Sequence, residues 1–307
     1  MAVMRIILCI FLLGFLLNTA AAQAQANNAP IAKTPLHAQS KQASPRQTPS
    51  NMTTTQYRDY EEQKAQSNPF GIALYQPNYF LPFYYMTNPD DTVYRPSDSL
   101  QSIDRIETKF QFSLKAPVWQ QIFNTQSTLY LAYTQLSFWQ AYDDSAFFRE
   151  TDYEPEFFLH HIANPNFSWD VGAIHESNGL GGSYERSWNR IYTNFIFSNH
   201  YWMVSVQPWY VLQDNSYLRY NPDLENYMGY GQTLVSFKIN KVTLSFMMRN
   251  VFESGFQRGA TETTLSFPLT KRLLGYFQFF SGYGESLIEY DHRTQAYGVG
   301  IALNDWI

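Results

Sequence analysis

The chain carries a single cysteine, Cys9, so it can form no internal disulfide. That residue falls inside an apolar run, Ile6 to Leu17, which Arg5 precedes and small residues with A-x-A spacing around Ala20 to Ala26 follow. This is the layout of a removable secretory signal peptide, and the run is too short and wrongly flanked to be a spanning helix. Its removal takes away the only thiol and with it any cysteine nucleophile. No later stretch approaches the roughly 18 consecutive apolar residues of a membrane helix. Charged residues make up only 15% of the chain and the net charge is -5, with no basic stripe, which argues against nucleic-acid binding. Residues 27–67 lack apolar periodicity and are rich in Gln, Ala, Asn, Pro, Ser and Thr, as expected of a disordered leader between a signal peptide over 1–26 and a folded region over 68–307.

What fills the folded region is aromatic: nearly all of the 23 tyrosines and 24 phenylalanines lie there. In "KVTLSFMMRN", Val242, Leu244, Phe246 and Met248 fall on one face of a strand and Thr243, Ser245 and Arg249 on the other, with Met247 an exception. Comparable segments occur near 78–86, 105–115, 127–138, 153–163, 166–176, 187–197, 201–211, 227–238, 241–250, 260–267, 272–281 and 295–303. A soluble β-sandwich also alternates. Strands of about 9–11 residues, however, suit a tilted bilayer crossing, and very short connections ("FSNHY", "KINK", "PLTK") alternate with longer polar ones. An even strand count closes the sheet and leaves no edge for lipid to meet. Tyr84, Tyr85, Trp119, Trp139, Trp202, Trp209 and Tyr210 are placed at strand ends as interfacial aromatics. The expected fold is all-β, a twelve-stranded antiparallel transmembrane β-barrel.

Parity then locates the polar residues of "GAIHESNGLGGSYERSWNRIYTNFIF". Phe167, Trp169, Val171 and Ala173 share a face with His175 and Ser177; Ile191, Phe195 and Phe197 share one with Asn189. These three polar side chains therefore point outward, toward lipid. Two strands joined by residues 178–186 are antiparallel neighbours, which sets Asn189 opposite His175 and Ser177. Such a set can act as nucleophile (Ser177), general base (His175) and orienter (Asn189), and a neutral orienter is less costly than an ionised Asp on a lipid-facing wall. Interfacial and turn residues at a strand end are the plainer alternative.

The wording of the motif adds to this. "HESNG" followed by "RSWNR" resembles the outer membrane phospholipase A family, and the likeness continues in "YTQLSFWQ" (133–140), "FRETDYEP" (148–155) and the terminal "LND" (303–305). The resemblance implies a calcium-dependent phospholipase of the bacterial outer membrane that hydrolyses acyl esters of phospholipids and lysophospholipids and is active as a homodimer. It puts His175, Ser177 and Asn189 on the family's Ser-His-Asn triad, at the outer-leaflet rim. It also implies a Ca2+ site built from the Leu180 carbonyl, Glu185 and the partner subunit's Ser145. Here the sequence departs from the family pattern: Leu180, Gly182 and Glu185 stand where the family carries Arg, Asp and Ser, so one carboxylate is lost and another gained. Hard oxygen donors remain. Asp143 and Asp144 read as solvated loop charges, and Gln135 maps to a polar contact across the dimer interface. Arg149, Glu150, Asp152 and Glu154 read as interior salt bridges in a plugged lumen. Alternatives from other classes are a non-catalytic porin-like barrel and a lipid A deacylase, neither of which accounts for Asn189.

Overall fold

The protein's structure, a computed structural model, describes residues 71–90, 103–213 and 215–307, together with residues 52, 53, 56 and 60. The expected signal peptide, and all of the leader but those four isolated residues, lie outside the described residues. Thr53 and Gln56 exchange reciprocal bonds between side chain and backbone N–H, and the Thr53 hydroxyl donates to the Pro165 carbonyl at 2.9 Å.

A two-residue strand, β1 (Ala73–Leu74), precedes the barrel. The first six barrel strands are β2 (Tyr79–Met86), β3 (Ile106–Trp119), β4 (Ser127–Gln140), β5 (Phe147–Asn164), β6 (Phe167–Ser177) and β7 (Ser187–Ser198). The other six are β8 (Trp202–Leu212), β9 (Gly231–Ile239), β10 (Val242–Arg249), β11 (Ala260–Pro268), β12 (Leu274–Tyr283) and β13 (Arg293–Ala302). Each pairs antiparallel with its sequence neighbours, and β13 pairs with β2, so β2 to β13 form a closed twelve-stranded barrel. Every expected strand is present.

The barrel's polarity is the reverse of a soluble protein's. Ser113, Ser236, Thr243 and Ser245 are buried on inward faces, while Leu131, Phe157, Ile191, Phe195, Phe246 and Val299 are exposed. Two pairs of inward hydroxyls meet across strands, Ser113 Oγ with Thr134 Oγ1 and Ser236 Oγ with Ser245 Oγ, both at 2.8 Å. An apolar exterior around a hydrogen-bonded interior is what a bilayer solvent selects.

Two expectations about this polarity need correction. Tyr84 and Trp209 are buried in the lumen, the first against Glu285 and the second donating to the Gly229 carbonyl, rather than sitting in an interfacial belt. Strand period explains it: Tyr84–Tyr85 and Trp209–Tyr210 are adjacent pairs, and only one member of each can face out. The outward members are Tyr85 and Tyr210. In addition, β5 begins at Phe147 and runs for 18 residues, earlier than the alternation suggests. A register shift opposite Phe138 and Trp139 lets the consecutive residues Arg149 and Glu150 both turn inward, which breaks the period.

The end of the barrel that carries the 178–186 loop is filled. Helices Asn215–Tyr220 and Glu225–Met228, with Leu224 just before the second, and the 284–292 loop contribute Tyr217, Leu224, Met228, Leu287 and Tyr290 to a buried cluster with Trp188. The 284–292 loop is held by backbone donation from Leu287 to Asp152 and from Ile288 to Glu150, both at 3.1 Å, and by Arg149, which bridges Glu289 to Glu107.

Inside β6, Gly172 lies where the wall admits no side chain: an added Cβ would stand 2.6 Å from the Phe158 Cβ, 2.7 Å from the Phe157 carbonyl oxygen and 2.8 Å from the Tyr192 ring. Gly172→Val is expected to destabilise the barrel by about 1–3 kcal/mol, because backbone as well as side chain must shift. The share of protein running as the compact, unheated species on a detergent gel measures it. An unchanged share would show that the wall can yield at this point.

Candidate functional site

Strands β6 and β7 meet in register with His175 opposite Asn189, Glu176 opposite Trp188 and Ser177 opposite Ser187. Ile174 and Trp188 are buried inward, so His175, Ser177 and Asn189 share the outer face, as parity requires. His175 Nδ1 lies 2.8 Å from Asn189 Oδ1. An amide oxygen only accepts, so the proton sits on Nδ1 and Nε2 is left as the basic nitrogen. Ser177 is the same-face neighbour two residues on, roughly 6.5–7 Å away at the backbone and within side-chain reach. The three residues predicted from sequence are thus on one patch.

The 178–186 loop that follows is shaped by residues whose role the sequence did not announce. Asn178 is buried; its amide donates to the Tyr184 carbonyl at 2.9 Å, and its Oδ1 accepts from the N–H groups of Leu180 at 3.2 Å and Arg186 at 3.1 Å. Its own N–H donates to the Arg186 carbonyl at 3.1 Å, which closes the loop at its base. Gly179 has φ +66°, a left-handed conformation that suits glycine, and it lies close to the Tyr153 ring. The "NG" of the motif therefore builds the turn that ends β6, immediately after Ser177. Arg186 adds donation from one guanidinium nitrogen to the carbonyls of Ser183 and Glu185 at 3.1 and 2.8 Å, and lies over the Tyr290 ring at 5.9 Å. Burial, reinforced by its hydrogen bond to Asp223, raises the Tyr290 phenol well above its ordinary range, so Tyr290 stays a neutral donor. From the neighbouring loop, Asn221 Oδ1 accepts the Ser187 N–H at 3.1 Å.

Leu180 is exposed, Glu185 is half-buried, and Gly182 has φ +69° with open space where a side chain would stand. Among the described residues no group of three or more His, Cys, Asp or Glu gathers to hold a metal. The oxygens that the loop offers include the Leu180 carbonyl and the Glu185 carboxylate. Such a set is all hard oxygen and fits calcium rather than a soft cation. Ser145 lies in the 141–146 loop, where its N–H donates to Asp143 at 2.9 Å, so Asp143 is engaged in a local turn.

On the outer face of β4, Gln135 is half-buried and already has partners within the chain: Tyr133 Oη donates to its Oε1 at 3.0 Å, and its Nε2 donates to Ser137 Oγ at 3.1 Å. The expected cost of a lone amide is therefore partly met in a single copy. One N–H and one lone pair remain for another chain.

Known proteins share this arrangement's sequence and fold. Residues 55–303 match the family model described as Phospholipase A1. A phospholipase A1 from Klebsiella pneumoniae is 37% identical over 246 residues, which cover 78% of this chain and 84% of that protein. Among solved structures, the outer membrane phospholipase dimer from Salmonella typhi with bound calcium is similar at TM-score 0.71 and 36% identity, covering 78% of this chain and 94% of that one. An active-site mutant of the outer membrane phospholipase A from Escherichia coli, an asparagine-to-alanine change, is similar at TM-score 0.73 and 34% identity, covering 81% and 97%.

Proposed function

The chain belongs to the phospholipase A1 family, and on that premise we propose that it hydrolyses acyl esters of phospholipids and lysophospholipids with a Ser177, His175, Asn189 triad on the outer wall of its barrel. It is an outer-membrane β-barrel phospholipase, and its substrates are lipids. The observation that carries the triad is the 2.8 Å contact between His175 Nδ1 and Asn189 Oδ1 on the face that bears Ser177. An active-site asparagine in the Escherichia coli relative supports the role given to Asn189.

The chemistry follows from these residues. Nε2 of His175 takes the proton from Ser177 Oγ as the oxygen attacks the ester carbonyl, and the same nitrogen returns it to the leaving glycerol oxygen. Asn189 keeps Nδ1 protonated and the ring in plane, so the basic nitrogen faces the serine. Water then attacks the acyl-serine with His175 again as base. The Ser177 backbone N–H is a donor for the oxyanion, and the outer-leaflet rim is where acyl chains in the surrounding lipid reach it.

The Leu180 carbonyl and Glu185 would hold calcium, with the partner subunit's Ser145 completing the site in a homodimer that Gln135 helps to join. When bound, calcium supplies positive charge near the oxyanion, which a triad with a neutral orienter lacks. Residues 1–26 serve as the signal peptide and 27–67 as a leader to the barrel domain over 68–307.

Release of fatty acid from phospholipid in detergent micelles, with calcium and with a chelator, tests this. Chelation is expected to lower the rate by roughly 10²–10³-fold, the usual worth of one oxyanion-stabilising element. A rate indifferent to the chelator would refute the Leu180 and Glu185 metal site while leaving the triad standing.

A further inference from the structure

We propose that Glu176 is a positioning residue for this reaction: from the lumen side it ties β6 to β7 at the level of the His175–Asn189 pair. The proposal rests on the triad reading above. Glu176 lies between His175 and Ser177 in sequence, and Trp188 and Arg190 flank Asn189, so the inner-face residues alternate with the outer-face ones. Glu176 Oε2 accepts from Trp188 Nε1 at 2.9 Å and from an Arg190 guanidinium nitrogen at 2.6 Å. That same nitrogen donates to Glu154 Oε2 on β5 at 2.9 Å, so three adjacent strands are joined behind the triad. The Arg190 guanidinium also lies 3.8 Å from the centre of the Trp188 ring, and Trp188 is fully buried, edge-on to Trp209 at 6.0 Å.

This tie stands where backbone pairing alone is weakest. β6 ends at Ser177 and β7 begins at Ser187, and the ends of a ladder open most readily. The imidazole must nevertheless be held closely, since a misplacement of about 1 Å can cost 10²-fold in rate. A carboxylate locked to a buried indole and a stacked guanidinium holds the two strands in register and twist. The Asn189–His175 hydrogen bond on the opposite face inherits that precision.

The test is a double-mutant cycle in the folded, micelle-bound protein, with fatty acid release from phosphatidylcholine as readout. Glu176→Leu should lower kcat roughly 10- to 100-fold with KM within about twofold, while Glu176→Gln, which keeps an acceptor, should stay within about threefold of wild type. In an Asn189→Ala background, Glu176→Leu should change kcat by less than about twofold, because the group it positions is gone. Trp188→Phe, which removes one donor and keeps the ring, should repeat the pattern at smaller size and carries the same test if Glu176→Leu does not fold. Wild-type kcat in both Glu176→Leu and Trp188→Phe, or equal losses with and without Asn189, would overturn the proposal. Full activity in Ser177→Ala or Asn189→Ala would instead overturn the triad on which it stands.

Discussion

Ser177→Ala in the purified protein is expected to reduce fatty acid release from phospholipid micelles by roughly 10³- to 10⁶-fold, and His175→Ala by a similar factor. In the proposed triad the two side chains act as one unit. An alcohol without a base at hand is a poor nucleophile, and a base with no hydroxyl to deprotonate contributes nothing to the attack. The double variant should therefore be no slower than either single one. Asn189→Ala should cost less, because it removes the orienter and leaves nucleophile and base in place. Both substituted residues lie on the outer face at the end of β6, away from the buried clusters, so folding should be unchanged. The decisive comparison is between the single and double variants in protein shown to be folded. Losses that multiply would mean that Ser177 and His175 do not work on the same step.

Arg149→Ala carries the largest expected loss of stability. Its side chain is fully buried and donates to both oxygens of Glu107, at 2.9 and 2.8 Å, and to Glu289 at 2.8 Å, with the guanidinium 4.6 Å from the Phe138 ring centre. Removing it leaves two buried carboxylates without the cation they share, a change that costs about 3–5 kcal/mol for a broken buried pair. Glu289 belongs to the 284–292 loop, so the mouth of the barrel loosens as well. Urea-induced unfolding in lipid, followed by tryptophan fluorescence, reads the shift in midpoint. Replacing Arg149 and Glu107 together by Met and Leu should recover part of the loss, since no uncompensated charge then remains on that side. A midpoint unmoved by Arg149→Ala would mean that water already screens this cluster.

The twelve strands were legible because the lipid-facing barrel writes its two environments onto alternate residues, and "KVTLSFMMRN" shows Val242 and Phe246 outward and Thr243 and Ser245 inward in the structure as in the sequence. Where two successive residues share one side, as Arg149 and Glu150 do, the alternation fails and the start of β5 is lost. Tyr84 and Trp209 were misplaced for a related reason: aromatic character says that a residue is large, while its parity says where it points. The helices over 215–220 and 225–228 and the seat of the 284–292 loop depend on partners far away in the chain, such as Asp152 for Leu287, which no local pattern encodes. At the candidate site, His175, Ser177 and Asn189 could be read from parity and motif together. Asn178 and Glu176 could not, since the loop that the first closes and the strand tie that the second makes exist only once register is set.

The outer-wall placement of His175 and Ser177 also fixes what substrate concentration means for this protein. On the proposed triad, a lipid reaches them sideways, by diffusion within the film that surrounds the barrel, and does not pass through the interior. Adding water to such a film leaves the encounter frequency unchanged, whereas adding inert amphiphile lowers it in proportion to the mole fraction displaced. Saturation is accordingly a property of the composition of a surface, and the bulk volume around it does not enter.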